Sequence, residues 1–568
     1  MRAFPATLAG LLALTALSAS ALAEPPRPAG SSDILVTAHP GDRKSPWKRA
    51  ESDHVIVTSD GNEGELKRVS RNLELLYRVM SKIYRRGGGP DDTVKLQVTL
   101  FGSPAVLRAI GGRSATQETY LPAFNDPTYY DPRANGEVLA IARSDLAVKM
   151  NTMRAYQKDC EDVLAAGGND CSQSSLPYHD PAITTWEQLL YARFAQHFLL
   201  TYQPAPYPRW YLDGIAAIFG NIVIGRDYSV DYGRPPSQYR QTFRSYGDLD
   251  LADVLTGRYL DLPPEKRDWS PAHAWLLTHY FLFAIANSER SRQFQHYMAE
   301  IQQGVPMADA AKVFGDMKLL QRQLRWRVES DIIYAHAKPP PTPIEEPLIT
   351  NLSPASAALI EARLELGTPI DALSGTTEAT SDAQAEWLTR ARDAARTSED
   401  RETLLFAAEA ECHSHHPDAC RADAERVLAA TPDDAEALAW KGEALTDLAL
   451  SGPAAARAAT LAAARQTIAR AVQLGGDAPL PLIAWFRSYT AAGEPVPEPA
   501  MRGMADVVRR IPAAPGPRLY LAQELVRQGK PDLARRLLNP VLYGPYDTPE
   551  KAAANRLFVS GGGAPHAG

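Results

Sequence analysis

The chain has 568 residues, of which 45% are apolar and 22% charged, and this composition excludes a mostly disordered chain and a disulfide-packed miniprotein. At roughly 100–200 residues per domain, the length allows about three to five domains. Lys and Arg number 60 against 67 Asp and Glu, a formal charge of −7, so the charge balance gives no case for nucleic acid as the main partner.

The N-terminus begins Met1-Arg2, runs through an apolar or small stretch from Leu8 to Leu22, and reaches Ala21-Leu22-Ala23 before Glu24-Pro25-Pro26. That pattern predicts a secretory signal peptide over 1–23 and a periplasmic or secreted protein. No other stretch reaches the ~18 uninterrupted apolar residues that an integral membrane span needs. Residues 24–46, rich in Pro, Gly and Ser, read as a disordered lead-in. His54-Val55-Ile56-Val57-Thr58 predicts a strand. Glu65 to Arg85 follows with Leu66, Val69, Leu73, Leu76, Met80 and Ile83 at helical spacing, stopped by Gly87-Gly88-Gly89-Pro90. Val94 to Phe101 alternates as a second strand, Glu137 to Ala142 predicts a third, and from Ile183 to about Ala335 the pattern is mostly helical.

Lys338-Pro339-Pro340-Pro341-Thr342-Pro343 predicts a stiff linker over 336–355, which separates an α+β domain at 47–335 from an all-α region at 356–548, with a loose tail at 549–568. In the second region helical pairs follow one another: Glu402–Cys412 with Arg421–Ala430, Ala435–Leu450 with Ala454–Leu474, Leu480–Ala491 with Ala500–Ile511, and Pro517–Gln528 with Pro531–Leu542. A period of roughly thirty to forty residues points to a helical-hairpin solenoid, the alternative being a plain helical bundle. This part resembles tetratricopeptide repeats. The four cysteines allow three pairings; Cys160 with Cys171 and Cys412 with Cys420 are expected, since each pair spans a short polar loop. A metal-ligand reading of Cys412-His413-Ser414-His415-His416 matches no standard zinc spacing.

The segment that points to chemistry runs Glu187-Gln188-Leu189-Leu190-Tyr191-Ala192-Arg193-Phe194-Ala195-Gln196-His197, followed by Trp210-Tyr211-Leu212-Asp213-Gly214-Ile215-Ala216. An apolar helix, a Pro-bearing loop and a Trp-x-x-acid-Gly-x-Ala helix start resemble the gluzincin metallopeptidases, specifically bacterial proteins with a peptidase-MA-like domain. The likeness covers about Trp47 to Tyr334 and includes Ser270-Pro271-Ala272-His273-Ala274-Trp275 onward. It implies a zincin-like α+β fold in which His-Glu-x-x-His on the first helix and an acid on the second hold zinc, with the Glu as general base. Here Arg193 stands at the first ligand position, Phe194 at the base and Asp213 at the third ligand, and only His197 is kept. Phe cannot accept a proton, and a guanidinium that stays protonated cannot ligate a cation.

The resemblance therefore implies a non-catalytic protein without a cofactor, in which Arg193 takes over the metal's charge, pairs with Asp213 beside His197, and Phe194 packs against apolar neighbours. Its partners would be peptides or proteins, held by the solenoid groove and the old substrate cleft. The alternative is an active zinc peptidase with a non-standard site built on His197 and Asp213, with His179, Asp180 and His279 as further ligands. A third reading makes the likeness accidental and requires that 187–197 and 213–219 not lie side by side. Tyr129-Tyr130 and Trp210-Tyr211 are candidates for stacking on a ligand or for core packing. No Gly-x-Ser-x-Gly elbow, P-loop or dinucleotide fingerprint is present.

Overall fold

A computed structural model describes residues 47–84, 93–111, 128–134, 136–145, 164–165, 185–236, 250–258, 271–283, 288–330, 332–365, 381–544 and 549–559. The expected signal peptide and lead-in, the Cys160–Cys171 pair and His179-Asp180 lie outside the described residues.

The first part is mixed α/β. In chain order it holds β1 (Lys48–Glu51), β2 (Val55–Ser59), α1 (Glu63–Ile83), β3 (Leu96–Phe101), α2 (Pro104–Gly111), β4 (Thr128–Arg133), β5 (Gly136–Ala142), α3 (Trp186–Tyr202), α4 (Arg209–Gly220), β6 (Val223–Ile224) and β7 (Val230–Tyr232). Then come α5 (Leu251–Thr256), α6 (Pro271–Leu282), α7 (Glu289–Gln302), α8 (Met307–Ala310), α9 (Met317–Glu329), β8 (Ala335–Ala337), β9 (Leu348–Asn351), α10 (Pro354–Ala358) and α11 (Ile360–Glu365). The main sheet has the order β4-β5-β3-β2-β1-β9, with β2, β3 and β5 parallel and the other pairings antiparallel. Parallel neighbours need a crossover, and α1 supplies it between β2 and β3. Asn62 caps α1 by accepting from the Glu65 amide at 2.8 Å.

Strands β4 and β5 are buried at every position, so both faces of this part of the sheet must be covered. Tyr130, Leu139 and Ile141 face the core made by α1, α3 and α4. Tyr129, Val138, Ala140 and Ala142 pack instead on Ile360 and Leu364 of α11. Arg133 fixes that second layer, donating to the carbonyls of Arg363 and Leu364.

The segment 336–355, expected as a stiff linker, also makes contacts with the first part. Strand β8 pairs with β7. Arg78 Nη1 donates to the Thr342 carbonyl at 2.5 Å, and Arg71 pairs with Glu346 at 3.0 Å, which straps the Pro-rich run along α1. Strand β9 then adds to β1 with Asn351 opposite Lys48. Short strands β1, β4 and β9 carry too little periodicity to stand out in sequence, and β9 is recruited by a partner about 300 residues earlier.

Beyond α11 the described chain is helical: α12 (Ser381–Arg396), α13 (Arg401–His413), α14 (Pro417–Ala430), α15 (Ala435–Ser451), α16 (Ala454–Gly475), α17 (Pro479–Thr490), α18 (Glu498–Arg510), α19 (Pro515–Arg527), α20 (Pro531–Leu542) and α21 (Pro549–Val559). Successive helices pack on one another, an arrangement consistent with a helical repeat. Helices α15 and α16 cross so closely that a Cβ on Gly442 would strike Ile468. Helix α21 lies within the stretch expected to be a loose tail, where Ala554 and Phe558 pack on Leu519 and Leu538. The array also meets the sheet domain: Val94 and Ala134 pack near Met504 and Val507, and the Val94 amide donates to the Arg510 carbonyl at 3.2 Å.

The Cys412–Cys420 disulfide forms as expected and closes the turn between α13 and α14 over a separation of 8 residues. Replacing both cysteines by serine should lower the stability of the helical array by about 2–3 kcal/mol through a freer unfolded state, measured by urea denaturation under non-reducing conditions.

Candidate functional site

Helix α3 carries the motif positions. It starts with a reciprocal cap, in which Thr185 Oγ1 accepts from the Gln188 amide at 3.2 Å and the Gln188 side chain accepts from the Thr185 amide at 3.1 Å. Apolar residues surround nearly the whole helix, so it is a central element and not a surface one. Arg68 of α1 grips Glu187 with two bonds of 2.7 and 2.6 Å, and Asn72 donates to the Tyr191 hydroxyl at 2.7 Å. Helix α4 lies directly against α3, with Gln196 Nε2 3.4 Å from the Leu212 carbonyl. A Cβ on Gly214 would run into Thr278 and the Ala274 carbonyl of α6, which explains a glycine after the acid without reference to catalysis.

Arg193, Phe194 and His197 are exposed by 0%, 1% and 1%. Arg193 donates from Nη1 to Gln196 at 2.8 Å, and Phe194 joins the main apolar core. The Arg209 guanidinium, one turn earlier on α4, lies beside Asp213, with Nε 3.6 Å from Oδ2.

His197 has a partner that the sequence reading missed. Its Nδ1 faces the carboxylate of Glu137 on β5 in a short, buried pair. The Thr201 hydroxyl lies 2.7 Å from both Glu137 oxygens and 3.2 Å from Nδ1. His197 Nε2 makes no hydrogen bond to a described residue and is sealed from solvent. A charged residue inside the apolar run Gly136-Glu137-Val138-Leu139-Ala140-Ile141-Ala142 was the available signal.

A second carboxylate–histidine pair lies at the start of the sheet. Glu74 Oε2 accepts from His54 Nδ1 at 2.6 Å, while Oε1 accepts from the His54 amide and from Ser52 Oγ, both at 2.7 Å. Tyr77 stacks on the His54 ring at 3.5 Å. Burial pushes the Glu74 carboxyl up, but the bond and charge of His54, with Ser52, outweigh it and hold the group below the usual range. With Asp53 these residues are the group of three potential ligands found among the described residues, one atom each within 4.8 Å of the others. The arrangement is not a His-Glu-x-x-His site. His54 and Glu74 spend their facing atoms on each other, and the pair holds the start of β2 to α1.

The other candidates among the described residues are packed inside the fold. His279 lies stacked between Trp275 and Phe283 at 4.6 and 4.3 Å, and its Nε2 donates to the Ile333 carbonyl at 2.7 Å. Tyr129, Tyr130, Trp210 and Tyr211 are buried core residues. Cys412 is committed to its disulfide, and His413 packs edge-on against Trp440. Of the ligand and base positions of the His-Glu-x-x-His arrangement, this chain keeps His197 and carries Asp213 at the third ligand, while His179 and Asp180 lie outside the described residues. No protein-family model matches the chain, and no curated protein matches it.

Two measurements follow. Replacing His197 by Phe leaves the Glu137 carboxylate buried without its ring partner and should cost about 3–5 kcal/mol; adding Glu137→Leu should recover most of that loss in a double-mutant cycle. Burial lowers His279 from 6.5 to about 4, so the fold keeps it neutral while the unfolded chain takes up a proton. Stability from this group is complete above 6.5 and drains away as pH falls toward about 4, and His279→Gln should flatten that part of the denaturation-against-pH curve.

Proposed function

We propose that this is an exported, non-catalytic peptidase-like protein that binds peptides or protein partners, with a zincin-like first part and a tetratricopeptide-like second part. One observation carries the reading: the helix positions that would have to meet metal, water and substrate are occupied by Arg193 and Phe194 and are closed to solvent. General-base hydrolysis needs an acceptor within hydrogen-bond reach of a water beside the substrate. Phe194 has no such atom, and His197 Nε2 is sealed from solvent. The stacked helix pairs from α13 to α20 supply the extended surface on which repeat arrays take partners.

Full-length purified protein tests this directly. Metal analysis should find zinc far below one per chain, and a mixed peptide substrate set should show no cleavage that a chelator abolishes. Stoichiometric zinc whose removal stops peptide hydrolysis would overturn the proposal in favour of an active peptidase with a non-standard site.

A further inference from the structure

Helix α9 buries a single stripe, Leu320, Leu324 and Val328, against the main core. Its opposite face is unlike an ordinary solvated face. Trp326 is 71% exposed and Leu319, two turns earlier on the same side, is 40% exposed. Arg322 lies between them, and Lys318 and Arg325 are exposed on the flank. Lys318 and Arg322 make no salt bridge among the described residues. The apolar exposure continues past the helix end with Ile333 and Tyr334. These four residues, all within 319–334, belong to a group of eleven large exposed apolar side chains among the described residues. The backbone beneath them is anchored, since β8 pairs with β7 and His279 holds the Ile333 carbonyl.

We propose that the outer face of α9 is a docking ridge for an anionic lipid surface. Charge complementarity selects the occupant: in a chain of net charge −7, this ridge interleaves cations with Trp and Leu. Trp places an apolar ring and a polar N–H at a boundary between hydrocarbon and water, and Lys and Arg stems bury methylenes while their heads stay among phosphates. A specific protein interface buries about 800 Å² on each partner and usually has a packed apolar centre, which Leu319 and Trp326, the exposed apolar pair on the outer face of α9, do not provide. A flat anionic surface needs only shallow insertion of one helical face plus electrostatic attraction. Among the described residues no helix is long and apolar enough to cross a membrane, so the attachment is peripheral and, with one such element, reversible. This inference stands whether or not the chain cuts peptides.

Co-sedimentation of the full chain with vesicles tests it. The protein should pellet with vesicles of equal parts phosphatidylcholine and phosphatidylglycerol, stay in solution with phosphatidylcholine alone, and be released at about 1 M salt, where the Debye length is ~3 Å. The double variant Lys318→Glu, Arg322→Glu should bind at least about tenfold more weakly. Trp326→Ser should weaken binding separately while leaving the salt dependence in place. Both variants spare Leu320, Leu324 and Val328, and an unchanged thermal melt shows that the fold is intact; should the charge reversal melt early, Lys318→Gln with Arg322→Gln serves in its place. No sedimentation of the parent chain with the anionic vesicles overturns the proposal and leaves the ridge to a protein partner. Equal sedimentation of parent and folded variants overturns it as well.

Discussion

Two-sided burial of β4 and β5 is the constraint on which the molecule depends. A strand pair buried on both faces must be covered twice. Helices α1, α3 and α4 cover one face, and α11, which lies beyond the proline-rich run, covers the other. Arg133 locks that second cover by donating to the carbonyls at the end of α11. The two parts are therefore joined by more than the proline-rich run. The first part borrows an edge strand and a covering helix from the segment that leads into the helical array, and Val94 and Ala134 reach forward to touch α18 and α19.

The same burial governs the polar groups on α3, which is closed nearly all round. Polar groups inside such a core have to satisfy one another. Arg193 donates to Gln196, and His197 faces Glu137 and Thr201. The latter bonds join α3 to β5, so His197 works as a clamp between helix and sheet. The His54–Glu74 pair does the same between β2 and α1. Both resemble the way a carboxylate orients an imidazole.

Legibility in the sequence followed the length and regularity of each pattern. The helix pairs from Arg401 to Leu542 were readable almost to the residue, because Asp434 at a cap, Pro417, Pro479 and Pro531 at first turns and small residues at crossings all agree with one another. The long α1 and the strands β2, β3 and β5 were readable for the same reason. Strands β1, β4 and β9 were not, since four to six residues carry little periodicity, and β9 pairs with a strand about 300 residues earlier. Within the candidate site, the departure from a His-Glu-x-x-His pattern was visible in Arg193 and Phe194. Glu137 was not connected to His197, because 60 residues separate them and only the fold brings strand and helix together.

Strand β9 has a consequence for how the molecule is made. During synthesis β1 leaves the ribosome about 300 residues before the strand that will cover its outer edge. Until Leu348–Asn351 emerges, the nascent sheet presents an open row of amide and carbonyl groups, and until Ile360 and Leu364 follow, its second face is bare. Completion of the sheet is thus postponed to a late stage of translation, and the interval before it is when premature pairing with another chain is a hazard and chaperones have something to hold.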